Sequence, residues 1–81
     1  MLALMSIDVC VLMGRRIRAL REEREMSQEV LSALAGLSQA NLSLIETGKA
    51  EPGLRTLDSI AKALSTRLAV IKLQDLVKGL D

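Results

Sequence analysis

The chain has no Phe, Tyr, Trp or His, and only one cysteine and one proline among its 81 residues. Without histidine, and with Cys10 alone, it lacks the ligand set of a zinc site and the partner for an intrachain disulfide. It also lacks the base that would activate Ser27, Ser38 or Ser43 as nucleophiles, and no Gly-rich phosphate loop follows a strand pattern. Most hydrolytic, redox and zinc chemistry is thereby excluded, and neither an enzyme nor a cofactor is implied. A lone cysteine fits a reducing compartment, and its position between Val9 and Val11 reads as packing. With aromatics missing, the 49% of apolar residues are mainly Leu, Ala, Val, Ile and Met, which suits helix-on-helix packing and a mainly α fold. A chain of this length forms one domain, residues 1–81, with little surface to bury, so a homodimer would help to close its core.

An excess of charge of one sign is missing too, with 11 Lys and Arg against 10 Asp and Glu. The net charge is +1, so the total announces no polyanionic partner, but its distribution is uneven. Arg15, Arg16, Arg18, Arg21 and Arg24 face only Glu22 and Glu23 between Gly14 and Arg24, and Lys49 and Arg55 follow later. The apolar stretch Met1–Met13 lacks a basic start and a small-residue cleavage site, is interrupted by Asp8 and is too short to span a bilayer. It reads as part of a cytoplasmic protein without a membrane partner.

Along the chain, Asp8 can cap a first helix in which Val9, Leu12 or Met13, Ile17 and Leu20 recur at helical spacing. The β-branched Ile7, Val9 and Val11 suit a short strand as well, and both readings stand at this point. Ser27 precedes a second helix from Gln28 to about Leu34, which Gly36 ends, and Leu37 can tuck back into the core. Ser38 caps a third helix from Gln39 to about Thr47, stopped at Gly48. Gly-Lys-Ala-Glu-Pro-Gly, residues 48–53, is a loop. A fourth helix from about Leu54 to Leu64 turns Leu57, Ile60, Ala61 and Leu64 inward and pairs Asp58 with Lys62 outside. Arg67–Leu73 reads as a short strand that would pair with its copy in a second subunit, and Gln74–Asp81 as one or two helical turns.

Two short helices joined by a Gly-containing turn, the second capped by Ser and polar outside, have the layout of a helix-turn-helix. The residues that carry it are Gly14–Glu23, Met26-Ser27-Gln28, Ala35-Gly36-Leu37-Ser38-Gln39 and Leu42–Lys49 with Pro52. Over about Gly14–Leu64 this ordered set resembles the Cro and phage-repressor (XRE-like) helix-turn-helix family. The resemblance implies a repressor-like domain of four to five helices, with residues 14–64 as its core and 65–81 as a C-terminal dimerisation segment. It also implies sequence-specific binding of double-stranded DNA as a homodimer, and transcriptional regulation, most often repression.

Residue by residue, the resemblance gives Gln28 a phosphate contact and a buttressing role behind the recognition helix. Gln39, Ala40, Asn41 and Leu44 fall on base-reading positions, Ser38 and Ser43 lie beside phosphates, and Lys49 matches a phosphate contact in the following loop. Helical geometry supports part of this independently. With Leu42 and Ile45 inward, Gln39, Ala40, Ser43 and Leu44 point out and Asn41 lies on the flank. Glu46 matches an acid paired with an arginine of helix 1, here Arg21, a structural clamp rather than a DNA reader.

Three positions depart from the family pattern. Leu44 replaces a long polar side chain, Glu51 sits in a loop that is often basic, and Ser32 replaces a common Ala. Leu44 and Ala40 leave the third helix poor in hydrogen-bond donors, so that reading would rest on Gln39, Asn41, methyl contacts and DNA shape. A strand after the fourth helix is similar to HipB-type antitoxins, which adds a toxin protein as an alternative partner. A protein-interaction module that has lost DNA reading is the third alternative.

Overall fold

The computed structural model describes residues 8–71, which form α1 (Val9–Glu23), α2 (Gln28–Ala35), α3 (Gln39–Glu46), α4 (Leu54–Ala63) and α5 (Leu68–Ile71). The architecture is mainly α, with no strand among the described residues. None of the described helices is long and apolar enough to cross a membrane.

The start of α1 resolves in favour of helix. The Asp8 carboxylate accepts the backbone N–H groups of Cys10 (2.9 Å) and Val11 (3.4 Å), which would otherwise have no partner in the first turn. Val9 faces solvent, however, and the inward stripe begins with Met13, Ile17 and Leu20. Ser27 and Ser38 cap α2 and α3 as the sequence indicates, each hydroxyl accepting an N–H three residues on at 3.0 Å.

The first four helices end by one device. A residue in the left-handed region reverses the chain, and the next N–H bonds a carbonyl five residues back. Glycine supplies it after α2 and α3, with φ 74° at Gly36 and 77° at Gly48. Leu37 N–H then reaches the Ser32 carbonyl at 2.8 Å, and Lys49 N–H that of Leu44 at 2.9 Å. After α1 and α4 the same job falls to Glu25 (φ 55°) and Ser65 (φ 54°), which bear Cβ atoms and announce nothing in the sequence.

Ser65 explains the one element that departs from expectation. Residues 68–71 of the expected strand Arg67–Leu73 are a helical turn, while Lys72, Leu73 and the expected turns at 74–81 lie outside the described residues. Once Ser65 has turned the chain back, Leu68 and Ile71 must both face the core. Three residues apart, they share one side of a helix but would occupy opposite faces of a strand. Ile71 is fully buried and the partly buried Leu68 packs against the core.

Ile17, Leu31, Leu42, Ile60, Leu64 and Ile71 have no exposed surface and form the centre of the core. Each such side chain contributes roughly 1.5–3 kcal/mol, against a total stability of about 5–15 kcal/mol for a typical domain. Ile71 therefore belongs to the monomer's own fold. Around this centre α2 packs on α4 and α3, α1 crosses α3, and α5 lies against α4 and α1.

Candidate nucleic-acid interface

Ser38 sets the front of α3. Its cap bond to the Asn41 N–H directs the first turn outward, and Gln39, Ala40 and Asn41 are all exposed. Leu42 and Ile45 anchor the opposite side in the core. Ser43 is half-buried, and Leu44 is 45% exposed, an apolar side chain facing water in the middle of the outward face. Lys49 follows the Gly48 reversal and is exposed, as is Glu51. Ser32, the replacement on α2, is buried and satisfied by donating its hydroxyl to the Glu29 carbonyl at 3.0 Å.

Behind this face sits an ion pair. Arg21 Nε and Nη2 donate to the two Glu46 carboxylate oxygens at 2.7 and 3.0 Å, and Nη1 donates to the Met26 carbonyl at 2.8 Å. Both residues are buried, and a fork-on-carboxylate geometry with all polar atoms satisfied is what makes such burial tolerable. The hydrogen bond to Glu46 pushes the guanidinium above its already high range, against the opposing pull of burial. The clamp expected between Arg21 and Glu46 is therefore present.

Gln28, half-buried at the start of α2, joins the same group. Its Nε2 donates to Glu46 Oε1 at 3.0 Å. One carboxylate thus ties α1, the α1–α2 turn, α2 and the end of α3 together. The sequence brings Gln28 and Glu46 to notice separately, and nothing in their spacing announces the bond between them.

Gly14 is the second feature missed by sequence reasoning. It lies inside α1, and a Cβ there would collide with the Ile45 carbonyl oxygen and come within 2.6 Å of that of Glu46. At Gly48 a Cβ would meet the Val11 Cα at 2.8 Å. Two bare glycines therefore let α1 lie directly on the end of α3. The signal was a glycine in the interior of a helix, where it costs about 0.5–1 kcal/mol relative to Ala and so needs a packing reason.

The arginine run of α1 is partly neutralised locally. Arg18 pairs with Glu22 and Arg24 with Glu23, both at 3.2 Å, while Arg15, like Lys49 and Arg55, is exposed. Cys10 is half-buried, and burial, followed by the carboxylates of Glu51 and Asp8, pushes its thiol up and keeps it protonated.

A capped, outward-facing helix held across a second helix by a glycine turn defines a helix-turn-helix domain. Comparison with known proteins agrees. The family model described as Helix-turn-helix (HTH_3) matches residues 17–71. The HTH-type transcriptional regulator y4dL of Sinorhizobium fredii is 45% identical over 56 residues, 69% of this chain and 29% of that protein. The immunity repressor protein of Bacillus phage phi105 is 40% identical over 58 residues, 72% of this chain and 40% of that protein. Among solved structures, the P22 c2 repressor protein in complex with a synthetic operator superimposes with a TM-score of 0.71 at 33% identity, covering 75% of this chain and 92% of that one. The chain belongs to the helix-turn-helix family, of the Cro and phage-repressor type. It spans less than half the length of the two curated relatives.

Proposed function

We propose that this chain binds double-stranded DNA sequence-specifically as a homodimer and regulates transcription as a repressor. The observation that carries the reading is the exposed front of α3, with Gln39 and Asn41 free to reach base edges while Leu42 and Ile45 fix the helix behind them. The names of the relatives, transcriptional regulator and immunity repressor, support it. So does the operator complex of the P22 c2 repressor.

In this reading Gln39 and Asn41 pair with adenine edges, and Ala40 and Leu44 meet thymine methyls or sugars. Gln28, Ser38, Ser43 and Lys49 hold phosphates and set the register. One module reads one half-site, so the working form is a dimer with recognition helices about 34 Å apart. The C-terminal segment, residues 65–81, supplies the dimer contact. In this reading the protein is cytoplasmic.

The antitoxin alternative rested on a strand after the fourth helix, and α5 removes that support over residues 68–71. The interaction-module alternative draws on the exposed Leu44 and the near-neutral net charge. A titration of the purified chain against duplex DNA from its own promoter and against scrambled DNA, at low and physiological salt, separates the readings. Selective binding that falls steeply with salt is expected. Weak binding equal on both duplexes would overturn the proposal in favour of an interaction module.

A further inference from the structure

The buried Arg21–Glu46 pair and the surface residue Gln28 form one hydrogen-bonded unit, and the unit has a direction. A carboxylate only accepts, so the Gln28 amide must turn its NH2 group toward Glu46. That nitrogen carries two N–H groups. Glu46 takes one, and the other is left pointing away from it. A DNA phosphate is also acceptor-only, so it too can use only the nitrogen end of the amide. A glutamine with no anchor samples both amide orientations and several side-chain rotamers before an anion arrives, a freedom that binding would have to remove.

We infer that Arg21 and Glu46 are positioning residues for DNA binding, acting through Gln28, whose free amide N–H they aim at a phosphate. The inference rests on the DNA-binding reading above and adds to it. The arrangement also settles a difficulty of charge. A bare carboxylate near the α2 start would repel a phosphate, but both oxygens of Glu46 are taken up by the Arg21 fork at 2.7 and 3.0 Å. Arg21 is in turn fixed by the Met26 carbonyl, so the guanidinium plane, the carboxylate and the amide are set in sequence from the α1–α2 turn outward. What had been separate roles, a clamp and a phosphate contact, become one device. The packing that seats α3 on α1 also orients a surface donor.

The test is a double-mutant cycle on the full chain, using a duplex enriched from a random-sequence pool by the unmodified protein. Arg21→Lys keeps the positive charge but replaces the fork by a single ammonium that cannot hold both carboxylate oxygens and the Met26 carbonyl together. It is expected to weaken DNA binding roughly five- to tenfold, the scale of one misaimed hydrogen bond. Gln28→Ala is expected to cost about the same, and Arg21→Lys to add nothing in the Gln28→Ala background. Should Arg21→Lys fail to fold, Glu46→Asp takes its place, keeping the charge and withdrawing the acceptor by one methylene.

A readout without DNA accompanies the cycle. The two Gln28 side-chain N–H resonances should be well separated in the unmodified protein and collapse toward those of a free glutamine in the variant. Equal losses in both backgrounds would overturn the inference, since Arg21 would then act through the fold alone. Unchanged affinity in Gln28→Ala, with selective binding retained, would overturn it while leaving the DNA reading intact. Absence of binding to any duplex would remove the DNA reading itself, and the inference with it.

Discussion

At its C-terminal end α3 is gripped. Gly14 brings the backbone of α1 against the Ile45 and Glu46 carbonyls, Val11 lies on Gly48, and Arg21 and Gln28 both bond the Glu46 carboxylate. At its N-terminal end, three residues in a row are exposed, and the Ser38 hydroxyl on the Asn41 N–H is the side-chain bond that holds them. The same eight-residue helix is thus a core element at one end and a surface element at the other. The difference teaches how a domain this small presents a helix without loosening it. The grip is concentrated at the end that packs on α1, and the candidate base-reading residues extend from that fixed point.

The comparison breaks most severely at Glu46. Glu46→Ala leaves the Arg21 guanidinium buried without its partner, and removing one member of such a pair costs about 3–5 kcal/mol. Urea unfolding should show a loss of that size, a large part of the stability a small domain has. Replacing both members by apolar residues, Arg21→Met with Glu46→Leu, should recover much of it, because neither charge is then left behind. A single-variant loss below about 1 kcal/mol would mean that the pair behaves as a surface ion pair and does not grip α3.

The next largest effect is expected at Gly14, and here the sign decides. On helix propensity alone Gly14→Ala would stabilise by about 0.8–1 kcal/mol. The Ile45 and Glu46 carbonyls are backbone atoms that cannot swing aside, so the methyl must push α1 off α3. A net loss of about 1–3 kcal/mol in thermal unfolding is the expected result. A more stable variant would show that the two helices do not touch at this point.

These two sites also mark where local sequence pattern stopped being legible. Capping by Ser27 and Ser38, the stops at Gly36 and Gly48 and the inward stripe of α4 were all readable, because each depends on a few neighbouring residues, whereas at Asp8 helix and strand readings both stood. The Asp58–Lys62 pair followed from four-residue spacing in the same way. The Arg21–Glu46 pair spans 25 positions and became visible only through the family resemblance. What stayed hidden was decided by tertiary contact. The reversal at Ser65 uses a residue with no special preference for positive φ, and the apolar positions of Arg67–Leu73 do not gather on one side of a helical wheel, so residues 68–71 were read as part of a strand. The purpose of Gly14 and the bond from Gln28 to Glu46 depend on where α1 crosses α3, which no local pattern encodes.

The smallest effect on stability is expected at the front of α3, and it sharpens the contrast because stability and recognition should part company there. Gln39 is exposed and its side chain makes no hydrogen bond among the described residues, so Gln39→Ala should shift unfolding by no more than about 0.5 kcal/mol. If Gln39 reads an adenine edge, the same variant should lose about 1–3 kcal/mol of discrimination at one base position while its affinity for other sequences barely changes. Selection from a random pool followed by titration on single-base variants measures this directly. Equal loss on every duplex would make Gln39 a phosphate-side contact, and recognition would then rest on Asn41, the methyl-seeking Ala40 and Leu44, and the shape of the DNA. A protein that is destabilised by Gln39→Ala would be telling a different story, in which the front of α3 is held by more than its serine cap and the two ends of the helix are not as unlike as the burial pattern makes them.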